Sequence, residues 1–142
     1  MTNDLRVVVD TNVLISGLFG IRNSPSSKIL KAIRNRQVIL VTSAVILEEV
    51  GNVINRDRIV KLTKMSEGER KDFMDGLIER SDITKGKQLS QISRDFKDDK
   101  ILACGVEGKV NYIVTGDEDL LVLNEYKGIK IVKPKEFSKL ID

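Results

Sequence analysis

Short runs of β-branched and aliphatic residues recur along this chain and alternate with longer segments that have a helical spacing of apolar positions. The runs are 5–10 (LRVVVD), 38–42 (VILVT), 111–117 (NYIVTGD, which ends in a turn) and 129–132 (IKIV). Unbroken apolar runs of this length are typical of strands that are buried on both faces of a parallel sheet. We therefore predict a strand in each of the four runs.

Helices are predicted between and after these strands, over residues 28–35, 44–55, 57–63, 66–80, 97–107 and 134–140. Serine residues mark several helix starts, because a serine hydroxyl can accept a hydrogen bond from a free amide of the first turn. Ser26 or Ser27 is expected to cap the first helix and Ser43 the second. Ser66 with Glu69 three residues later forms a capping-box signature. The polar segment 81–93 matches no element.

The alternation of strands and helices predicts an α/β fold, in which a parallel sheet is flanked by helices on both faces of a three-layer structure. A length of 142 residues fits one domain, which we expect to span residues 1–142. In such sheets ligands bind beyond the carboxyl ends of the strands, where the strand order reverses. Asp10 and Asp117 each close a predicted strand, so both are expected at that edge.

Composition narrows the chemistry to carboxylates. The chain has no histidine and a single cysteine, Cys104, which excludes a thiolate zinc site and an internal disulfide. Its net charge of +3 is a weak indication of an anionic partner. The apolar runs fall far short of the roughly 20 residues needed to cross a bilayer, and the N-terminus has no signal-peptide pattern. We expect a cytoplasmic protein without a membrane partner.

The first candidate site residue is Asp10 in VVVDTNVLIS. A carboxylate at this place can simply cap the following helix. Alternatively, Asp10 binds a metal ion directly, with Thr11, Asn12 or Ser16 supplying hydrogen bonds around it.

Helical phase distinguishes between the adjacent residues Glu48 and Glu49. The apolar positions in this segment follow a three- and four-residue spacing and define a buried stripe, which consists of Val45, Ile46, Val50, Val53 and Ile54. Glu49 lies on that stripe, whereas Glu48 faces solvent. A carboxylate among core positions is costly unless it is paired or binds a cation. Glu49 is therefore the predicted site residue.

Two further acidic segments complete the set. In RDFKDDKIL, helical phase favours Asp98 over Asp99, although acids near a helix start are often there only to interact with the helix dipole. In VTGDEDLL, Asp117 follows a strand, where Gly-Asp can also form a plain turn. As part of a site, Asp117 would join the acidic cluster, and Thr115 or Asp119 could orient a metal-bound water.

Taken in order, these segments resemble the PIN-domain ribonucleases, and in particular the VapC-like toxin components of toxin–antitoxin pairs. The resemblance covers nearly the whole chain, from VVVDTNVLISGL to IVKPKEF, and the DTNVLIS and VTGDEDLL segments together are its most specific part. It implies a PIN-like domain whose four acids are Asp10, Glu49, Asp98 and Asp117.

The resemblance also implies supporting residues and one small departure from the family pattern. The family hydroxyl near the first acid corresponds to Thr11 or Ser16, and the strand-end threonine corresponds to Thr115. Gly105 stands where the family often has alanine, away from the acids.

The activity implied by the resemblance is endonucleolytic cleavage of RNA that depends on Mg²⁺ or Mn²⁺, with homodimerisation and inhibition by a small antitoxin. The residues fit this activity, because hard carboxylates suit these ions, which activate water for attack on a phosphodiester. Two alternatives remain. One is a catalytically silent module that binds RNA or protein. The other is a receiver-type phospho-acceptor domain, which normally has paired acids after its first strand, whereas Asp10 stands alone.

Overall fold

The computed structural model describes residues 5–85 and 96–141, with side chains described from Asp99 onward in the second range. These residues form a six-stranded sheet. Its strands are β1 (Arg6–Val9), β2 (Ile39–Thr42), β3 (Ser81–Ile83), β4 (Tyr112–Val114), β5 (Glu125–Tyr126) and β6 (Ile129–Val132). All four predicted strands are present, and β3 and β5 are additional.

The strand order across the sheet is β3-β2-β1-β4-β6-β5, and every neighbouring pair is parallel except β5 with β6. The chain first builds outward from β1 through β2 to β3 and then returns to place β4 on the other side of β1. The strand order therefore reverses between β1 and β4. A crevice at the carboxyl ends of these two strands is the expected ligand site of such a sheet.

Helices flank this mostly parallel sheet, which confirms the predicted α/β class. They are α1 (Thr11–Ser16), α2 (Pro25–Arg34), α3 (Ala44–Ile54), α4 (Asp57–Thr63), α5 (Glu67–Arg80), α6 (Phe96–Glu107), α7 (Glu118–Leu121) and α8 (Pro134–Leu140). Aliphatic side chains from the central strands and the helices around them form one buried core. Within the described ranges, no helix is both long and apolar enough to cross a membrane.

Two of the predicted helix caps are confirmed and one is wrong. Ser43 caps α3, and Ser66 forms a complete capping box with Glu69 at the start of α5. The helix α2, however, begins earlier than predicted, and Ser24 rather than Ser26 or Ser27 is its cap. The Ser24 hydroxyl accepts a hydrogen bond from the backbone N–H of Ser27 at 3.1 Å. Pro25 can begin this helix because the first helical residue needs no amide hydrogen.

The segment 81–93, which the sequence left unassigned, begins with β3, and residues 86–93 lie outside the described part of the chain. The strand β5 pairs with β6 in a hairpin whose two loop residues are Lys127 and Gly128. Both have positive φ angles, 49° and 82°, as a tight hairpin turn requires.

Candidate functional site

The carboxylate of Asp10 lies at the point where the strand order reverses. Asp10 directly follows β1, and its backbone N–H donates to the carbonyl of Val114 at 2.9 Å, which ties it to the end of β4. It occupies the N-cap position of α1, but its side chain does not make the capping hydrogen bond. Instead, the hydroxyl of Thr115 donates to Asp10 Oδ2 at 2.7 Å. The capping alternative therefore does not account for this carboxylate.

Thr115 connects Asp10 with the next acid, Asp117. Its side chain is fully buried, with 0% of its surface exposed. While the Thr115 hydroxyl donates to Asp10, it also accepts a hydrogen bond from the backbone N–H of Asp117 at 3.0 Å. Asp117 Oδ1 in turn accepts from the backbone N–H of Asp119 at 2.9 Å and caps the short helix α7. Asp117 thus caps α7, and its charge also acts on Asp10.

Glu49 is brought to the same place by α3. Its side chain is half-buried, whereas Glu48 is exposed, as helical phase predicts. The hydroxyl of Thr11 donates to Glu49 Oε1 at 2.5 Å. The ammonium group of Lys100, on α6, donates to Glu49 Oε2 at 2.9 Å. Both oxygens of Glu49 are therefore held in a defined orientation, one by the residue next to Asp10.

The prediction that Val45 belongs to the buried stripe of α3 is wrong. Ile46, Val50, Val53 and Ile54 are buried, but 57% of Val45 is exposed. Val45 lies one turn before Glu49, on the margin of the stripe. The margin of the stripe is therefore open to solvent at Val45.

The pKa of Asp10 responds to the charges of two other acids. The pKa of Asp10 is raised from its ordinary value of 3.8, chiefly because burial disfavours the charged form. Hydrogen bonds from the Thr115 side chain and the Thr11 backbone oppose this rise, whereas the charges of Glu49 and Asp117 add to it. A half-buried carboxylate whose pKa is raised by desolvation and by neighbouring negative charges is typical of functional sites.

The predicted fourth acid, Asp98, lies in the first turn of α6, and its side chain is outside the described part of the structure. The neighbouring Asp99 is half-buried, with its Oδ2 atom buried. Because Lys100 contacts Glu49 from the same helix, the start of α6 lies against the acidic site. The choice between Asp98 and Asp99 stays a prediction.

The supporting residues predicted from sequence divide into two groups. Thr11 and Thr115 contact acids directly, through hydrogen bonds to Glu49 and Asp10. Asn12 and the side chain of Asp119 are exposed, and Ser16 lines a neighbouring cleft.

Lys100 is the site residue that sequence reasoning missed. Its signal was present, since a lysine that directly follows two aspartates and precedes an apolar helix face can provide an internal counter-charge.

Oxygen atoms of acidic side chains are the groups at this site that could bind a metal ion. No three acidic or cysteine side chains described in the structure are grouped closely enough to hold a metal ion as they stand. Glu49 is turned toward Thr11 and Lys100, and Asp98 is not among the described side chains. The donor set of Asp10, Glu49 and Asp117 nevertheless consists of hard oxygen ligands, which suit Mg²⁺ or Mn²⁺. The chemistry of these residues therefore fits such an ion.

Comparison with known proteins gives the family. The family model described as "PIN domain" matches residues 6–119. The chain is 32% identical over 141 residues to "Uncharacterized protein MJ1680" of Methanocaldococcus jannaschii. This alignment covers 94% of this chain and 89% of that protein. The fold matches the crystal structure of PAE2754 from Pyrobaculum aerophilum with a TM-score of 0.63 at 14% identity, covering 99% and 97% of the two chains. The chain belongs to the PIN-domain family, whose members are typically nucleases.

Proposed function

We propose that this protein is an endoribonuclease that depends on Mg²⁺ or Mn²⁺. The observation that carries the proposal is the placement of Asp10, a half-buried carboxylate at the strand-order reversal, whose pKa is raised first by desolvation and then by the charges of Glu49 and Asp117. Nucleases of the PIN family commonly use divalent metal ions, which supports the assignment of these acids to a metal site. The match to the PIN-domain family also argues against the alternative of a receiver-type phospho-acceptor domain.

In this proposal Asp10, Glu49, Asp98 and Asp117 hold the ion, and the two threonines position the acids. The Thr115 hydroxyl fixes the rotamer of Asp10, and the Thr11 hydroxyl fixes that of Glu49. Hydrogen bonds of this kind keep acidic ligands in place and maintain their orientation. When bound, a divalent ion supplies Lewis-acid stabilisation of the phosphodiester and a more acidic water.

Lys100 has a separate role in this proposal. Its ammonium group offsets part of the negative charge of the pocket when no metal is bound, because it pairs with Glu49. Without such a counter-charge, three neighbouring carboxylates would repel one another more strongly. Lys100 thereby stabilises the acids in the metal-free protein, and a cation that binds Glu49 would have to compete with it.

We further propose that the whole chain, residues 1–142, is one PIN-like domain that acts as the toxin of a toxin–antitoxin pair. The support is the similarity of its motif segments to the VapC-like toxins. This proposal includes a cytoplasmic homodimer and a small antitoxin that binds over the acidic site. It is tested by inducing the protein in bacterial cells. Growth should stop with the native chain and continue with Asp10→Asn, and a small reading frame should adjoin the gene.

A second candidate function is favoured by one observation, namely that Glu49 is already paired with Lys100. A PIN fold in which this lysine permanently takes the place of the cation would bind RNA or protein without cleaving it.

Incubation of the purified protein with end-labelled RNA separates the two candidates. Internal cleavage that appears with Mn²⁺ or Mg²⁺ and stops with EDTA supports the nuclease. RNA that remains uncleaved in the presence of either ion supports the catalytically silent binding module.

A further inference from the structure

A cleft of about 440 Å³ adjoins the acidic site. One wall is formed by the end of α1 and the start of α2, and includes Ser16, Phe19 and Ser24. The opposite wall is the connection from β6 to α8, with Lys133 and Lys135. This volume lies within the range of pockets that bind small organic ligands.

The cleft and the acids share backbone segments. Gly116, which lines the cleft, lies between Thr115 and Asp117 in the chain. The backbone N–H of Thr115 donates to the carbonyl of Val132 at 3.0 Å, and Lys133 is the next residue after Val132. The cleft is thus connected through the backbone to Thr115, whose hydroxyl donates to the Asp10 carboxylate.

The lining of the cleft combines apolar surface, hydroxyl groups and cations. The apolar part consists of Phe19, Ile21, Pro25 and Pro134. Ile21 is 63% exposed, although a side chain of this kind usually prefers burial. A partly covered apolar wall of this size suits the face of a flat ring, and the serine hydroxyls can bond to its polar edge.

The two lysines are available for an anionic ligand. Lys133 and Lys135 are exposed, and neither forms an ion pair with another residue in the described ranges. Glu118, at the far side of Gly116, is the acid that lines the cleft. The balance of charge at the rim is thus positive, whereas the adjoining site is negative.

We propose that this cleft binds a nucleotide of the RNA substrate next to the cleaved phosphodiester, with its base against the apolar wall and its phosphates at Lys133 and Lys135. The proposal rests on the nuclease function proposed above and adds a residue-level substrate subsite to it. Proteins recognise single-stranded RNA by stacking on the faces of its bases, by hydrogen bonds to the edges of the bases and by contacts with the phosphates. The cleft presents a partner for each of them.

The test measures RNA affinity apart from cleavage. Asp10→Asn protein is titrated against a short fluorescein-labelled single-stranded RNA, and binding is followed by fluorescence anisotropy at several salt concentrations. Adding Lys133→Ala and Lys135→Ala should weaken binding about tenfold and lower the slope of log K against log salt by about 0.7 for each lysine that contacts a phosphate.

A matched control removes the same amount of charge elsewhere. Lys130 and Lys139 are exposed and do not line the cleft. The pair Lys130→Ala with Lys139→Ala, in the same Asp10→Asn background, should keep the affinity and most of the slope. A third variant, Ile21→Ser, should lower the affinity severalfold and leave the slope unchanged, because it removes apolar contact and no charge.

Two results would overturn the subsite. One is an equal RNA affinity of the variant that lacks the two cleft lysines and the variant that lacks the two control lysines. In that case the cleft would instead bind a protein ligand. The other is an absence of RNA binding by the Asp10→Asn protein at low salt. Neither result bears on whether the native chain cleaves RNA. Conversely, lysine-dependent binding by a native chain that does not cleave RNA would support nucleotide binding in the cleft and refute the nuclease function.

Discussion

The hydroxyl of Thr115 links Asp10 to Asp117, since it donates to the Asp10 carboxylate at 2.7 Å and accepts from the Asp117 backbone at 3.0 Å. One fully buried group thus sets both the orientation of the first acid and the turn that delivers the last. Because β1 and β4 are neighbours, this link spans the place where the strand order reverses. The geometry of the acidic site therefore depends on a residue that carries no charge.

Replacing Thr115 by valine should damage the site and the fold together. The Asp117 amide would lose its acceptor in a part-buried hydrogen bond, which costs about 1 kcal/mol. Loss of the hydrogen bond would also raise the pKa of Asp10 further. We expect RNA cleavage to fall about 10- to 100-fold, as is usual when a ligand loses its supporting hydrogen bond. Steady-state kinetics and urea denaturation measure the two effects. Thr115→Ser keeps the hydroxyl and should preserve both, and full activity in Thr115→Val would refute the role given to it.

The two adjacent glutamates of α3 provide a matched pair. Glu49→Gln removes a charge that interacts with Asp10 and Lys100, so cleavage should drop by at least about 100-fold, the scale of losing a group that acts in the reaction. Glu48→Gln removes an equal charge from an exposed position and should leave the rate unchanged. Parallel assays of both proteins on one RNA decide the matter. Equal cleavage rates for the two variants would refute the role assigned to Glu49.

Lys100 should oppose metal binding. Its ammonium group is 2.9 Å from Glu49, in a half-buried pair whose charges are incompletely screened. We expect Lys100→Met to bind Mn²⁺ at least about fivefold more tightly than the native chain, because a competing positive charge is gone. Isothermal titration calorimetry gives the affinities, and Lys100→Arg, which keeps the charge, serves as the control. Unchanged or weaker Mn²⁺ binding in Lys100→Met would contradict this role.

The raised pKa of Asp10 predicts that the acidic site lowers the stability of the metal-free protein. A carboxyl group whose pKa is higher in the folded state destabilises the fold once it is ionised. In EDTA at neutral pH, Asp10→Asn should therefore have a higher Tm than the native chain. This advantage should shrink as the pH falls through the raised pKa and should vanish below the ordinary value of 3.8, where the aspartate is protonated in both the folded and the unfolded state. Thermal unfolding as a function of pH tests this, and a lower Tm for Asp10→Asn in EDTA would contradict it.

The placement of three of the candidate acids could be predicted because strand ends and helical phase are local properties of the sequence. Asp10 and Asp117 follow buried strands, and parallel strands deliver such residues to one edge. Glu49 was distinguished from Glu48 because Ile46, Val50 and Val53 define the buried face of their helix. The same rule failed for Val45, since a spacing pattern cannot show where the margin of a helix remains open.

Contacts between distant segments could not be predicted. Lys100 and Glu49 are 51 positions apart, and only the packing of α6 beside α3 brings them together. The strand β3 follows a helix without a break and contains two exposed residues out of three, so it carries no apolar run. The strand β5 has two residues and depends on its hairpin with β6. Such elements are specified by their neighbours in the sheet and not by their own sequence.

The measurement that tests the central claim most directly is the rate of RNA cleavage as a function of Mn²⁺ concentration, for the native chain and for Asp10→Asn and Asp98→Asn. We predict a rate that rises and saturates with Mn²⁺ in the native protein, falls to background with EDTA, and stays at background in both variants while they remain folded by circular dichroism. Cleavage by the native chain in EDTA, or full activity in both variants, would contradict a metal site built from these acids.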